Sequence, residues 1–157
     1  MGLLQADEPP VYEILREDGA SPFLLTADHA GRAIPRALGD LGVGPEDMER
    51  HIAWDIGIAG VTRRLSAALD ATAILQNYSR LVIDCNRQPH WASAFPEVSE
   101  ATPIPGNVGL DEAGRAARRA AIFDPYHGAI GRMIAARPRT VYVAMHSFTP
   151  VFLETAR

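Results

Sequence analysis

Two histidines in this sequence each follow a short apolar run: His29 after Phe23-Leu24-Leu25-Thr26-Ala27, and His146 after Val141-Tyr142-Val143-Ala144-Met145. Such runs read as buried strands, and side chains just past a strand end meet solvent on a rigid support, where the ligand-binding groups of α/β proteins collect. Two strand-end imidazoles are one way to build a metal site from distant stretches of chain. Asp55 is a third candidate, because Trp54 beside it implies a partly buried stretch and a carboxylate against an apolar wall needs a partner. Zinc accepts nitrogen and carboxylate ligands, and catalytic zinc keeps three protein ligands with one position open. His29, Asp55 and His146 supply that set, which suits zinc without excluding iron, cobalt or manganese. Each histidine alone could equally be a turn residue bonded to backbone. His51, four residues before Asp55 and so on the same face of a helix, is either a reserve ligand or a plain ion-pair neighbour.

Other polar residues support the same chemistry. Asp28 can orient the His29 ring from the adjacent position. Arg87 follows the apolar run Leu81-Val82-Ile83, and a guanidinium fork at a strand end can grip a carboxylate through two bonds, unless it is spent on Asp84 or a loop carbonyl. Arg80 is expected at the far end of that strand, away from any site. Asp84 is free either to support Arg87 or to pair with a histidine. His127, in Pro125-Tyr126-His127, sits where a helix is expected to open, which suits a polar contact to an anionic substrate as well as a capping role. Cys85 reads as a small buried filler. Ser147 lacks the Gly-x-Ser-x-Gly elbow of a serine hydrolase.

Composition bounds the rest. The chain has 157 residues, 47% hydrophobic and 22% charged, which is enough for one core, and its formal net charge is −4. All 15 basic residues are arginine, so no lysine can form a Schiff base or serve a phosphate loop. The arginines are scattered, leaving no basic footprint for nucleic acid. The single cysteine forbids an internal disulfide and fits a reducing compartment. No run approaches the roughly 18 apolar residues of a membrane span. The acidic start, Met1 to Pro10, does not resemble a secretory leader. A cytoplasmic protein is expected.

The elements that must hold these residues follow from periodicity. Val11 to Leu15 reads as a short strand or a turn of helix, and 23–27 as a strand. Pro45-Glu46-Asp47 opens a helix whose apolar spacing continues through Ile52, Ile56 and Val61 to about Leu69. Strands are expected at 72–75 and 81–83, and residues 88–110 form a long Pro-rich connection. Asp111 caps a helix over 112–122, a second helix runs over 124–136, and a strand covers 140–145. This order predicts an α/β fold with a mixed, mostly parallel sheet in a single domain spanning 1–157. Residues 151–157 offer no terminating helix, and a strand at 140–145 would leave a sheet edge uncovered. The sequence is therefore expected to be part of a longer protein.

Five segments in order resemble the N-formylglutamate amidohydrolase (N-formylglutamate deformylase) family: Ala27-Asp28-His29-Ala30-Gly31, His51-Ile52-Ala53-Trp54-Asp55-Ile56-Gly57, Ser79 through Arg87, Pro125-Tyr126-His127, and Met145-His146-Ser147-Phe148-Thr149-Pro150. That family is distantly similar to the zinc carboxypeptidases. The resemblance implies a three-layer sandwich, a zinc ion, and hydrolysis of the amide bond of a small N-acyl amino acid such as N-formylglutamate. It further implies that Asn86 and Arg87 hold the substrate carboxylate, that His29 is the first ligand and that His146 is the last. The carboxypeptidase pattern of a glutamate three residues after the first histidine is absent, since position 32 is arginine, which leaves Asp55 as the middle ligand. Complete members continue into a late segment that resembles the source of the catalytic acid, and this sequence stops before it. The rival expectation is a module that binds a small carboxylate or a metal without turnover.

Overall fold

The structure is a computed structural model that describes residues 2–137, 139–152 and 155–156. Its centre is a four-stranded sheet in the order β1-β3-β2-β6, built from β1 (Tyr12–Leu15), β2 (Phe23–Ala27), β3 (Thr72–Gln76) and β6 (Val141–Ala144). β2 runs parallel to both β3 and β6, while β1 is antiparallel to β3. The three parallel strands therefore end on the same side of the sheet. That common end delivers Asp28 and His29 from β2, Met145 and His146 from β6, and residues 77–80 from β3.

Alternation along the strands sorts side chains onto two faces. Leu24 and Ile74 join a core with Ile122, Tyr126, Ala129 and Ile130, whereas Leu25, Ala27, Ala73 and Leu75 pack with Ile58. Helices thus cover both faces: α2 (Ile58–Leu69) on one, and α4 (Asp124–Ala135) on the other, with α3 (Glu112–Arg118) leading into α4. The expected three-layer mixed sheet is the observed one. A short hairpin of β4 (Val98–Ser99) and β5 (Thr102–Pro103) interrupts the long connection. β7 (Val151–Phe152) pairs with β8 (Thr155–Ala156); the rest of the expected unstructured end, at 153, 154 and 157, lies outside the described residues.

Three local expectations change. The helix beginning at Pro45 lasts only four residues as α1 (Pro45–Met48), and α2 starts afresh after Gly57, which sits at φ +82°. Between them the Asp55 N–H donates to the His29 carbonyl at 2.9 Å instead of an intrahelical acceptor, and Ser79 Oγ donates to the Ala53 carbonyl at 2.8 Å. Tertiary bonds break a helix that apolar spacing alone would have continued. Residues 81–83 are fully buried but form no strand. Their carbonyls are met by side chains: Asn107 Nδ2 donates to Leu81 O at 2.9 Å, and buried Arg118 donates to Val82 O at 3.1 Å. A short buried apolar run satisfies its backbone either way, so its pattern cannot distinguish strand from loop.

The two helices expected over 112–122 and 124–136 are one continuous helical stretch. Asp111 caps it as expected, its Oδ1 accepting from Gly114 N at 2.8 Å. A π-turn over Arg119–Phe123 joins α3 to α4. Pro125 explains it: proline cannot donate to residue 121 and crowds that carbonyl, and a widened turn immediately before it relieves both problems.

Candidate metal and carboxylate site

His29, Asp55 and His146 converge. One ligand atom from each lies within 4.8 Å of the others, and the two imidazole centroids are 5.3 Å apart. His29 is buried at the end of β2, and the broken helix places Asp55 opposite it. Asp55 Oδ1 is 3.4 Å from His29 Nδ1, and Asp55 Oδ2 is 3.1 Å from His146 Nδ1 and accepts from the Ser147 N–H at 3.1 Å. The segment after β6 is pinned in turn by Ser147 Oγ, which donates to the Ile56 carbonyl at 2.9 Å.

Each histidine has its own buried aspartate. His29 Nε2 donates to Asp84 Oδ1 at 2.7 Å, leaving its buried Nδ1 without any hydrogen bond. Asp28 does not orient His29 as its neighbouring position suggested. It accepts from the Tyr126 hydroxyl at 2.7 Å and lies 3.6 Å from His146 Nε2. Adjacent residues at a strand end point opposite ways, so Asp28 reaches the histidine of the next strand. Burial opposes the charged forms of His29, Asp55 and Asp84, yet at His29 the hydrogen bonds and charges of Asp55 and Asp84 overcome it and hold the pKa above the usual histidine value. Asp55 is held well below the usual carboxylate range by His146 and His29 against the cost of burial. Asp84 is lowered to about 2, again against burial, by His29 and Arg80.

The orphaned Nδ1 tests whether a metal belongs here. A buried ring nitrogen that makes no hydrogen bond and faces a carboxylate oxygen 3.4 Å away is costly unless something binds between the two. Asp84 fixes the tautomer that turns this lone pair toward Asp55, the carboxylate–histidine arrangement that orients zinc ligands. Two nitrogens and a carboxylate oxygen, separated closely enough to reach bonds of about 2.1 Å by small side-chain rotations, fit a zinc-type ion.

A cavity of about 410 Å³ opens beside this cluster, lined by Asp55, Arg80, Arg87, His51, Glu100 and Phe148. Arg87 is exposed at its wall. Its backbone N–H donates to Asp84 O at 3.1 Å, and its guanidinium makes no hydrogen bond or ion pair among the described residues. Asn86 is exposed beside it, with its N–H donating to Asp84 Oδ1 at 2.9 Å. Arg80, expected far away, is at the site: Nη2 donates to Asp84 Oδ2 at 2.8 Å and Nη1 is 3.5 Å from Asp55 Oδ1. The misplacement follows from reading 81–83 as a strand, which would have carried residue 80 to the other end of the sheet. A helical i,i+4 spacing to Asp84 was the available clue.

His51 and Asp55 share no helix face, because both lie in the turn between α1 and α2. His51 instead faces Glu100, with Nε2 3.0 Å from Oε1. His127 lies inside the continuous helix rather than at its N-terminus. Its Nε2 bonds to the Cys85 carbonyl at 2.8 Å, and its ring packs 4.2 Å from Phe123. Cys85 is buried as expected, and burial pushes its thiol pKa well up. No helix among the described residues is long and apolar enough to cross a membrane.

Residues 21–157 match the family described as N-formylglutamate amidohydrolase. The chain belongs to that family. Among solved structures it is similar to the gene product Atu2144 from Agrobacterium tumefaciens, at 39% identity and a TM-score of 0.96, covering 99% of this chain and 63% of that one. It is also similar in fold to N-formylglutamate amidohydrolase from Ralstonia eutropha JMP134, at 18% identity and a TM-score of 0.65, covering 89% of this chain and 58% of that one. The chain therefore spans less than two thirds of the length of either structure. No curated protein matches. The five segments first noticed in the sequence all fall within the matched family region, and the ends of the parallel strands β2 and β6 bring 27–31 and 145–150 beside 51–57 at the cluster of His29, Asp55 and His146.

Proposed function

We propose that this chain carries the metal-binding and carboxylate-binding part of an amide hydrolase acting on small N-acyl amino acids. The observation that carries the reading is a single cavity bounded by both the cluster aspartate, Asp55, and an uncommitted guanidinium, Arg87. An N-acyl amino acid needs both: a carboxylate to be held, and an amide carbonyl to be presented at a fixed distance from it.

Zinc held by His29, Asp55 and His146 would supply Lewis-acid polarisation of the acyl carbonyl and activation of water. The protein's own groups do the positioning. Arg87 takes the amino-acid carboxylate in two charge-assisted bonds and so decides which carbonyl meets the cluster. Asn86 stands beside it as a second donor, and His127 is proposed to act from behind, through its bond to the Cys85 carbonyl next to Asn86. Arg80 is held rigid by Asp84 next to Asp55, so its cation is placed in advance where negative charge grows on the acyl oxygen. Asp84 locks His29 in the tautomer that leaves Nδ1 available. Proton delivery to the leaving amine is proposed to fall to the part of the relatives' length that this chain does not span.

The test is a panel of N-formyl and N-acetyl amino acids incubated with zinc-loaded protein, with released amine as the readout. Turnover abolished by a chelator and restored by zinc supports the reading. Zinc and N-acyl amino acid binding with no released amine makes the chain a binding module. Turnover indifferent to chelation contradicts the metal-dependent mechanism.

A further inference from the structure

Tyr126 is fully buried on α4, in the core that also holds Ile122, Ala129 and Ile130. Phenylalanine would fill such a place as well, so the hydroxyl calls for an explanation of its own. It donates to Asp28 Oδ1 at 2.7 Å, across 98 residues of sequence. Asp28 is itself buried, and a buried carboxylate needs a donor, which the phenol supplies. The other carboxylate oxygen, Oδ2, lies 3.6 Å from His146 Nε2. At that distance the contact is electrostatic and not a hydrogen bond. His146 turns its second nitrogen, Nδ1, to Asp55 Oδ2 at 3.1 Å. A line of polar groups therefore runs from α4 through Asp28 to the outer nitrogen of one candidate ligand.

The π-turn over Arg119–Phe123 aims α4 along this line. Such a turn closes over one residue more than an α-turn, and each helical residue advances the chain by about 100° around the axis. α4 is rotated by that amount relative to a straight continuation of α3. The rotated face presents Tyr126 to Asp28, and the next residue, His127, to the Cys85 carbonyl. The two histidines of the cluster are thus served alike. Asp84 faces His29 and is itself held by Arg80, whereas Asp28 faces His146 and is held by Tyr126.

We propose that Tyr126 is a positioning residue for the metal: its hydroxyl fixes the Asp28 carboxylate, which keeps the Nε2–H of His146 on its own side and Nδ1 turned toward the ion. This rests on reading His29, Asp55 and His146 as a metal site. A histidine ligand whose far N–H faces a carboxylate is both oriented and made more basic, and losing that partner weakens metal binding by about 10- to 100-fold.

Zinc affinity, measured by competition with a chromophoric chelator, tests this in a double-mutant cycle. Asp28→Ala is expected to weaken zinc binding by about 10- to 100-fold and Tyr126→Phe by about tenfold, with circular dichroism unchanged. Because the tyrosine acts through the carboxylate, adding Tyr126→Phe to Asp28→Ala is expected to cost nothing further. Native zinc affinity in Tyr126→Phe overturns the proposal. So does the same loss with and without Asp28, which would make the hydroxyl a packing feature. Should Tyr126→Phe not fold, the native chain decides: with tyrosine isotope-labelled at Cζ, the Tyr126 resonance is expected to move on adding zinc, and one unmoved at saturation overturns the assignment. A native chain that binds no zinc removes the metal reading and this inference together, whereas undiminished affinity in Tyr126→Phe removes only the inference.

Discussion

At the scale of single residues, the site is organised by pairs. Asp84 serves His29, Asp28 serves His146, and Asp55 stands between the two rings. Arg87 differs from its neighbours because nothing among the described residues neutralises it. Arg87→Ala should therefore weaken binding of an N-acyl amino acid by about 10- to 100-fold, the worth of a charge-assisted contact. Zinc content and unfolding temperature should stay at native values, since the side chain is exposed; calorimetry and thermal melts read both. Cys85 makes the opposite prediction. Its pKa is raised by burial, so the thiol stays protonated well above the pH at which a free cysteine ionises, and only the thiolate reacts. At pH 8 the native protein should resist a disulfide reagent that titrates one thiol after denaturation. Two strand-end histidines and a carboxylate beside Trp54 were legible in the sequence because strand ends concentrate ligands. Arg80 and Glu100 were not, since each reaches the cavity only through a loop whose path depends on distant partners.

At the scale of elements, the parallel sheet supplies the convergence. β2, β3 and β6 end together, so residues 28–29, 77–80 and 145–147 meet although they are far apart in sequence. The loop after β2 has little room. A Cβ on Gly31 would lie 2.1 Å from the Asn77 carbonyl oxygen, and the Ala33–Tyr78 bridge follows directly. Gly31→Ala should cost about 1–3 kcal/mol by forcing these two segments apart, and it should also lower zinc affinity because His29 is two residues away. Denaturant melts and zinc titration check the two effects together. Strand positions were readable from apolar runs, and the Asp111 cap from its residue type. The break between α1 and α2 was not: apolar spacing runs through it, and what stops the helix is a set of bonds to His29 and Ser79 from another part of the fold. The π-turn was equally hidden, although Pro125 gives its cause.

At the scale of the whole molecule, helices lie on both faces of a mixed sheet and the polar groups of the site gather at one sheet end. Family membership and fold agree with what the sequence alone suggested. Chemistry depends on whether three remote side chains share one divalent ion. A ligand that binds only the folded state stabilises it by about 2.7 kcal/mol when present at a hundred times its dissociation constant. Zinc at that excess should accordingly raise the unfolding temperature of the native chain. Metal stoichiometry by elemental analysis, on the native chain and on His29→Ala, Asp55→Ala and His146→Ala after dialysis against limiting zinc, is the most direct test. One zinc per native chain and a loss of binding in each variant is the predicted result; full zinc retention in all three folded variants would contradict the site.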